Sequence, residues 1–211
     1  MSNTATTSNL RGNTRKIMIS LGVVAAAAAV AGMGTFGTFT STTSGSEAVN
    51  SGTVAIALGS TGTPANRLNV AAANIVAGDT IQRAVTLSNT GTSALSGVTL
   101  TTAATPSSLL DTDTTQGLQM LIQSCPTAWA EAGTSPAFTY TCAGGATAVV
   151  ATKPVIALNT VVTTTKALPA GGVDNLMVTL TLPSSAPNTL QGQSSTIGFT
   201  FTGTQRTATN Q

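Results

Sequence analysis

From residue 51 onward, apolar side chains recur at every second position. That spacing places them on one face of an extended strand. Val54, Ile56 and Leu58 alternate with Thr53, Ala55 and Ala57, and Ile81, Val85 and Leu87 repeat the pattern after the turn-like "AGD" at Ala77 to Asp79. A Gly-containing connection, "SNTGTSALSG", leads to a strand around Val98 and Leu100. Phe138, Tyr140 and Cys142 alternate, as do Leu176, Val178, Leu180 and Leu182, and Ile197, Phe199 and Phe201 close the series. Short alternating runs between Gly, Pro, Asn and Ser clusters predict a mainly β fold, an antiparallel sandwich with an apolar inner face. The exception is Ser107 to Ala132, where Leu118, Leu121 and Ile122 fall at helical spacing. This stretch is expected to hold one short helix, with a second around Trp129, whose indole is expected to anchor core or loop and not to serve as a ligand platform.

The N-terminal pattern is different. Arg11, Arg15 and Lys16 precede "IMISLGVVAAAAAVAGMG", a basic flank followed by an apolar run of barely spanning length rich in Ala and Gly. Residues 1–37 therefore read as a cleavable signal peptide, with a retained membrane anchor as the alternative. Thr35 and Gly37 give the small-x-small pattern for a cut after Gly37, and a cut after Thr38 is its neighbour. The formal G-x-G-x-x-G at Gly32, Gly34 and Gly37 lacks the strand-turn-helix setting of a dinucleotide site and is not one. Residues 38–50 then form an N-terminal arm, and residues 51–211 the β-sandwich domain.

Export bears on the cysteines. Cys125 and Cys142 are the only two, and an even count in an exported chain points to a disulfide, with two unpaired buried thiols as the alternative. Closing such a loop stabilises a fold by about 3 kcal/mol in the chain-entropy model.

Composition sharpens the picture. Only 7% of residues are charged and 3% aromatic, which suits hydroxyl-covered strands and not helices laced with Glu and Lys. Of eight basic residues three lie in the signal segment, and none of the six acids does, so the remainder is formally −1. Such a body has no basic footprint for nucleic acid.

Four stretches then resemble the TasA/camelysin family: "GTFGTFTS" at Gly34 to Ser41, "NSGTVAIAL" at Asn50 to Leu58, "VAGDTIQRAVTLSNTGTSALSGVTLT" at Val76 to Thr101, and "NTLQGQSSTIGFTFTGTQ" at Asn188 to Gln205. The similarity runs in order along the chain and is weakest between about Pro106 and Ala170. The resemblance implies a jelly-roll-like β-sandwich, exported to the cell surface or extracellular biofilm matrix after processing by a dedicated signal peptidase near Thr38 and Phe39. It also implies self-association into filaments, the N-terminal segment of one subunit completing the sheet of the next, with an accessory matrix or anchoring protein as a further partner.

The arm's own chemistry is compatible with that. Phe39, Thr40, Ser41, Thr42 and Thr43 lead a polar segment with little to fold it back on itself. Thr favours strands, and Phe39 supplies one large anchor, so the segment can add to an exposed sheet edge. A disordered tail left by processing is the alternative.

Camelysin carries a metallopeptidase description, yet this chain contains no His. It cannot supply the two imidazoles of H-E-x-x-H, so the expectation is a protein that is not an enzyme and needs no cofactor. Serine and cysteine nucleophiles lack an imidazole base, leaving Ser-Lys pairing through Lys153 or Lys166 as a formal possibility. Asp111 and Asp113 in "LLDTDTTQG" alternate as ligands of a calcium ion do, although the rest of an EF-hand loop is missing; a turn and helix N-cap is the commoner use. The alternative function is a monomeric surface adhesin that binds carbohydrate or protein through its loops.

Overall fold

The computed structural model describes residues 52–208, apart from residues 69 and 164. The signal segment and the arm, including Gly37, Thr38, Phe39, Thr40, Ser41, Thr42 and Thr43, lie outside the described residues. Among the described residues eleven strands follow one another: β1 Ile56–Leu58, β2 Val70–Ala73, β3 Thr80–Asn89, β4 Leu95–Ala104, β5 Gln119–Cys125, β6 Ala130–Thr134, β7 Ala137–Thr141, β8 Thr147–Pro154, β9 Thr160–Val161, β10 Val173–Thr181 and β11 Ser194–Gln205. A helix, α1, spans Leu109–Thr112, and a 3-10 turn spans Asn188–Leu190.

The strands form one sheet in the order β1-β3-β10-β5-β8 and another in the order β2-β11-β4-β9, all neighbours antiparallel. The pairs β2/β11, β3/β10, β4/β9 and β5/β8 nest inside one another along the chain, which is the winding of a jelly roll. The inner faces share one core. Val85, Leu87, Met120, Ile122, Leu176, Val178 and Leu180 come from the first sheet, and Val70, Val98, Leu100 and Ile197 from the second. All eleven are side chains that alternation alone turns to the same side.

Between Ser107 and Ala132 the structure corrects the sequence reading. A short helix is present, but Leu118, Leu121 and Ile122 are not in it: Leu121 and Ile122 belong to β5, and Leu118 directly precedes that strand. Met120 and Ile122 turn inward, and β5 is bonded on both sides by β10 and β8. Tertiary pairing outweighs a chance helical spacing over so few residues. The helix forms instead where a capping box exists. Ser108 accepts from the Leu110 N–H at 3.1 Å, and Asp111 accepts from the Ser108 N–H at 2.7 Å. No helix surrounds Trp129, which precedes the β6–β7 hairpin. Val54, for its part, lies outside β1 and is exposed.

The β6–β7 hairpin packs on the outer face of the first sheet and builds a second small core from Ala84, Cys125, Trp129, Tyr140 and Met177. Cys125 and Cys142 are joined by a disulfide at its base. Arg67 donates to both oxygens of Glu131, at 3.0 and 2.7 Å, and Tyr140 donates to the same carboxylate at 2.8 Å. The Arg67 bonds hold Glu131 below the usual carboxylate range. Burial, reinforced by the bond to Glu131, pushes the Tyr140 hydroxyl up to about 12.

Candidate functional site

The longest strand, β11, has the sequence "SSTIGFTFTGTQ", twelve residues with neither a charge nor a proline. One side of it is bonded to β4 from Ile197 opposite Ala104 to Gln205 beside Leu95. The other side is bonded to β2 only over Ser194 to Ile197. The remaining eight residues, Gly198 to Gln205, have no strand on that side among the described residues. Native sheets blunt such edges with Lys, Pro, bulges or short strands. Along this stretch only a bulge at its far end, between Thr204 and Gln205, does so.

The edge borders a cleft. Across from it, β1 and the loop that follows lie along β3: Gly59 donates to Thr86 O at 3.0 Å, Thr86 to Ala65 O at 2.7 Å and Arg67 to Ala84 O at 2.8 Å. Buried Asn66 knots this loop, donating to Gly59 O at 3.0 Å and accepting from the Leu68 N–H at 3.1 Å. Between loop and strand is a cavity of about 470 Å³ lined by Leu58, Asn66, Leu68, Ile197, Gly198 and Phe199. Its apolar members are those an entering side chain would cover. Farther along the strand a Cβ at Gly203 would sit 2.9 Å from Ile56 Cγ2, so a larger residue there would force the Ile56 side chain to shift.

The described chain begins at the end of the sandwich where this edge finishes. Thr53 N–H donates to Thr92 Oγ1 at 2.9 Å and Ser93 N–H to Thr53 O at 3.1 Å, two residues from Leu95, the neighbour of Gln205.

The other sequence candidates go elsewhere. Burial opposes ionisation of Asp111, but hydrogen bonds from Ser107 at 2.6 Å, Ser195 at 2.5 Å and the Ser108 N–H outweigh it and hold the carboxyl below its ordinary range. Asp113 accepts from the Gln116 and Thr115 N–H groups at 2.8 and 2.9 Å, a turn of its own. The two carboxylates are therefore engaged in separate local networks. Lys153 donates to Thr160 Oγ1 at 2.7 Å. Lys166 lines a cleft with Ser124, whose hydroxyl donates instead to buried Asp174.

Nothing in the sequence marked the β11 edge in advance. The one signal available was the uncharged run itself, which gains meaning only once the four-residue β2 is known to be its partner.

Zinc fits this donor set poorly. The chain has no His, both cysteines are oxidised, and among the described residues no three carboxylates or sulfurs converge. No helix among the described residues is long and apolar enough to cross a membrane. Residues 14–210 match a family model described as camelysin metallo-endopeptidase. Comparison with curated proteins gave no match.

Proposed function

Since the chain belongs to the camelysin metallo-endopeptidase family, we propose that it is an exported, non-enzymatic structural subunit of the cell surface or extracellular matrix. Its N-terminal arm is donated to the β11 edge of a second copy. The observation that carries this reading is the uncharged Gly198–Gln205 edge, paired on one side only among the described residues and bordered by a cleft that Leu58, Leu68, Ile197 and Phe199 help to line.

Strand addition supplies two things at once. Main-chain hydrogen bonds to the open edge give affinity, and alternate side chains set register. The arm from Phe39 to Asn50 is twelve residues, enough to lie along eight. A contact between one end of a subunit and the seam of the next is heterologous, so it propagates into a filament unless the rotation closes a ring. Removing the signal frees Phe39, so processing switches assembly on. The peptidase reading lacks support in the donor set described above, whatever the family's description.

Deletion of residues 38–46 tests the proposal. Electron microscopy of the exported variant should show monomers where the parent forms fibres, with the melting temperature unchanged. Fibres of normal morphology from the deleted protein would overturn it.

A further inference from the structure

We propose that the cavity beside the Cys125–Cys142 disulfide binds one hydroxyl-bearing anionic unit, a uronate or a polyol phosphate, with Lys166 as its counter-charge. This goes beyond the fibre reading and makes no use of the β11 edge.

The cavity has a volume of about 320 Å³ and is lined by Ser124, Pro126, Gly144, Gly145, Thr147 and Lys166. That volume falls in the range of small-ligand pockets. Three segments meet there: the end of β5, the β7–β8 turn and the β9–β10 loop. The disulfide staples the first two, since Cys125 stands between Ser124 and Pro126, and Cys142 is close before Gly144. Thr127 Oγ1 adds a bond to Ala143 O at 3.3 Å. Gly144, at φ 97°, lets the turn close on Pro126: a Cβ there would sit 2.9 Å from Pro126 Cγ. The walls are therefore set before a ligand arrives, and little ordering is left for it to impose.

Floor and rim differ in chemistry. At the floor the Ser124 hydroxyl donates to Asp174 Oδ1, and the Lys166 main-chain N–H donates to Asp174 Oδ2 at 3.0 Å. Asp174 is fully buried and in no ion pair among the described residues. With its proton committed to that carboxylate, the Ser124 oxygen offers a guest only lone pairs. Of the lining residues only Lys166 is ionisable. Its side chain is exposed, and the ammonium has no hydrogen bond or ion pair among the described residues.

Such a cavity selects a guest with a donor at one end and negative charge at the other. A hydroxyl pairs with the Ser124 oxygen, and an anionic group makes a charge-assisted bond to Lys166. An anion without a donor would face the Ser124 lone pairs and the Asp174 charge behind them. A cation would meet the Lys166 ammonium, and a neutral sugar would leave that ammonium unpaired. Because an ammonium is a compact point charge without the planar fork of Arg, carboxylate and phosphate satisfy it alike.

Calorimetric titration of the full chain tests this, with oligogalacturonate as the uronate, glycerol phosphate as the polyol phosphate and cellotriose as the neutral control. At least one anion should bind saturably and cellotriose should not; which anion binds tells the two sources apart. Lys166→Gln should weaken that binding by at least about tenfold, as loss of a charge-assisted bond implies. Lys153→Gln should bind like the parent, since that amine lies elsewhere, held by Thr160 Oγ1 at 2.7 Å. Four results would overturn the proposal: no saturable heat with either anion up to ~10 mM, weaker than a cavity of this size warrants; cellotriose binding as tightly as the anions; Lys166→Gln binding like the parent; or Lys153→Gln and Lys166→Gln weakening binding equally, which assigns it to diffuse attraction.

Discussion

The two seams of the sandwich are finished differently. At the seam between β8 and β9 the chain itself crosses from sheet to sheet, and Thr102 on β4 fastens the crossing. Its Oγ1 donates to Val155 O and accepts from the Ala157 N–H at 2.8 Å, while its own N–H donates to Ala157 O at 2.8 Å. Thr163 donates to Val149 O at 2.9 Å and Val162 to Val98 O at 3.0 Å, tying both sheets together again. Lys153 stands on the edge strand with its amine on Thr160, a charge placed where edge-to-edge pairing would begin. At the seam between β1 and β11, no hydrogen bond among the described residues joins residues 52–68 to β11, and no charge guards the strand. Among the described residues, then, one seam is closed and protected and the other open and unguarded by charge. Burial alone would not distinguish them; the pairing of each edge does.

The largest effect is expected from guarding the open edge: Thr200→Lys with Thr202→Lys, both exposed positions of β11, should abolish fibres or raise the critical concentration at least about tenfold. Stability should change by no more than about 0.5 kcal/mol, as for other surface substitutions. Electron microscopy and chemical denaturation read the two quantities separately, and a large loss of stability would mean the edge was already paired within the subunit.

Next comes unfastening the closed seam. Thr102→Val leaves buried main-chain groups of Val155 and Ala157 without a partner and should cost about 1–3 kcal/mol in urea unfolding without touching assembly. Lys153→Val should cost less, about 0.5–1.5 kcal/mol, for the bond to Thr160. It should also promote lateral association at this seam, read by light scattering against the parent.

The smallest effects are in pH dependence, and they concern the hairpin. The Glu131 carboxyl is held down in the folded state by Arg67, so its contribution is present above its unfolded value near pH ~4.3 and fades as pH falls through the lower folded one. Tyr140 has the opposite sense: raised in the fold, it stabilises below about pH 10 and loses that contribution as pH climbs toward about 12. Because the chain has one Tyr, absorbance of the phenolate should titrate near 12 in the native protein. A midpoint near 10 would mean that the hairpin is not docked.

How much of this was legible beforehand depends on what each feature needs. Strands with long alternation, such as those containing Ile81 to Leu87, Leu176 to Leu180 and Ile197 to Phe201, can be read because period two is a property of the local chain. β2 consists of Val70 and three alanines, and β9 of two residues; neither carries a pattern long enough to read. The stretch around Leu121 had a helical spacing by coincidence, and only its two β neighbours decide against it. The capping box at Ser108 and Asp111 is visible in the sequence as Ser and an acid three residues apart, the same segment in which the carboxylate pair is read first as a turn and helix cap and only secondarily as cation ligands. The open edge could not be read at all. It is defined by the difference in length between β11 and β2, which are paired although more than a hundred residues apart in sequence.

The most direct test of strand donation is amide hydrogen exchange on residues 198–205, compared between monomer and fibre. Amides of this stretch directed away from β4 should exchange quickly in the monomer and become protected in the fibre, while those bonded to β4 should be protected in both. Equal exchange in the two states would mean that fibres, where they form, are built through another surface.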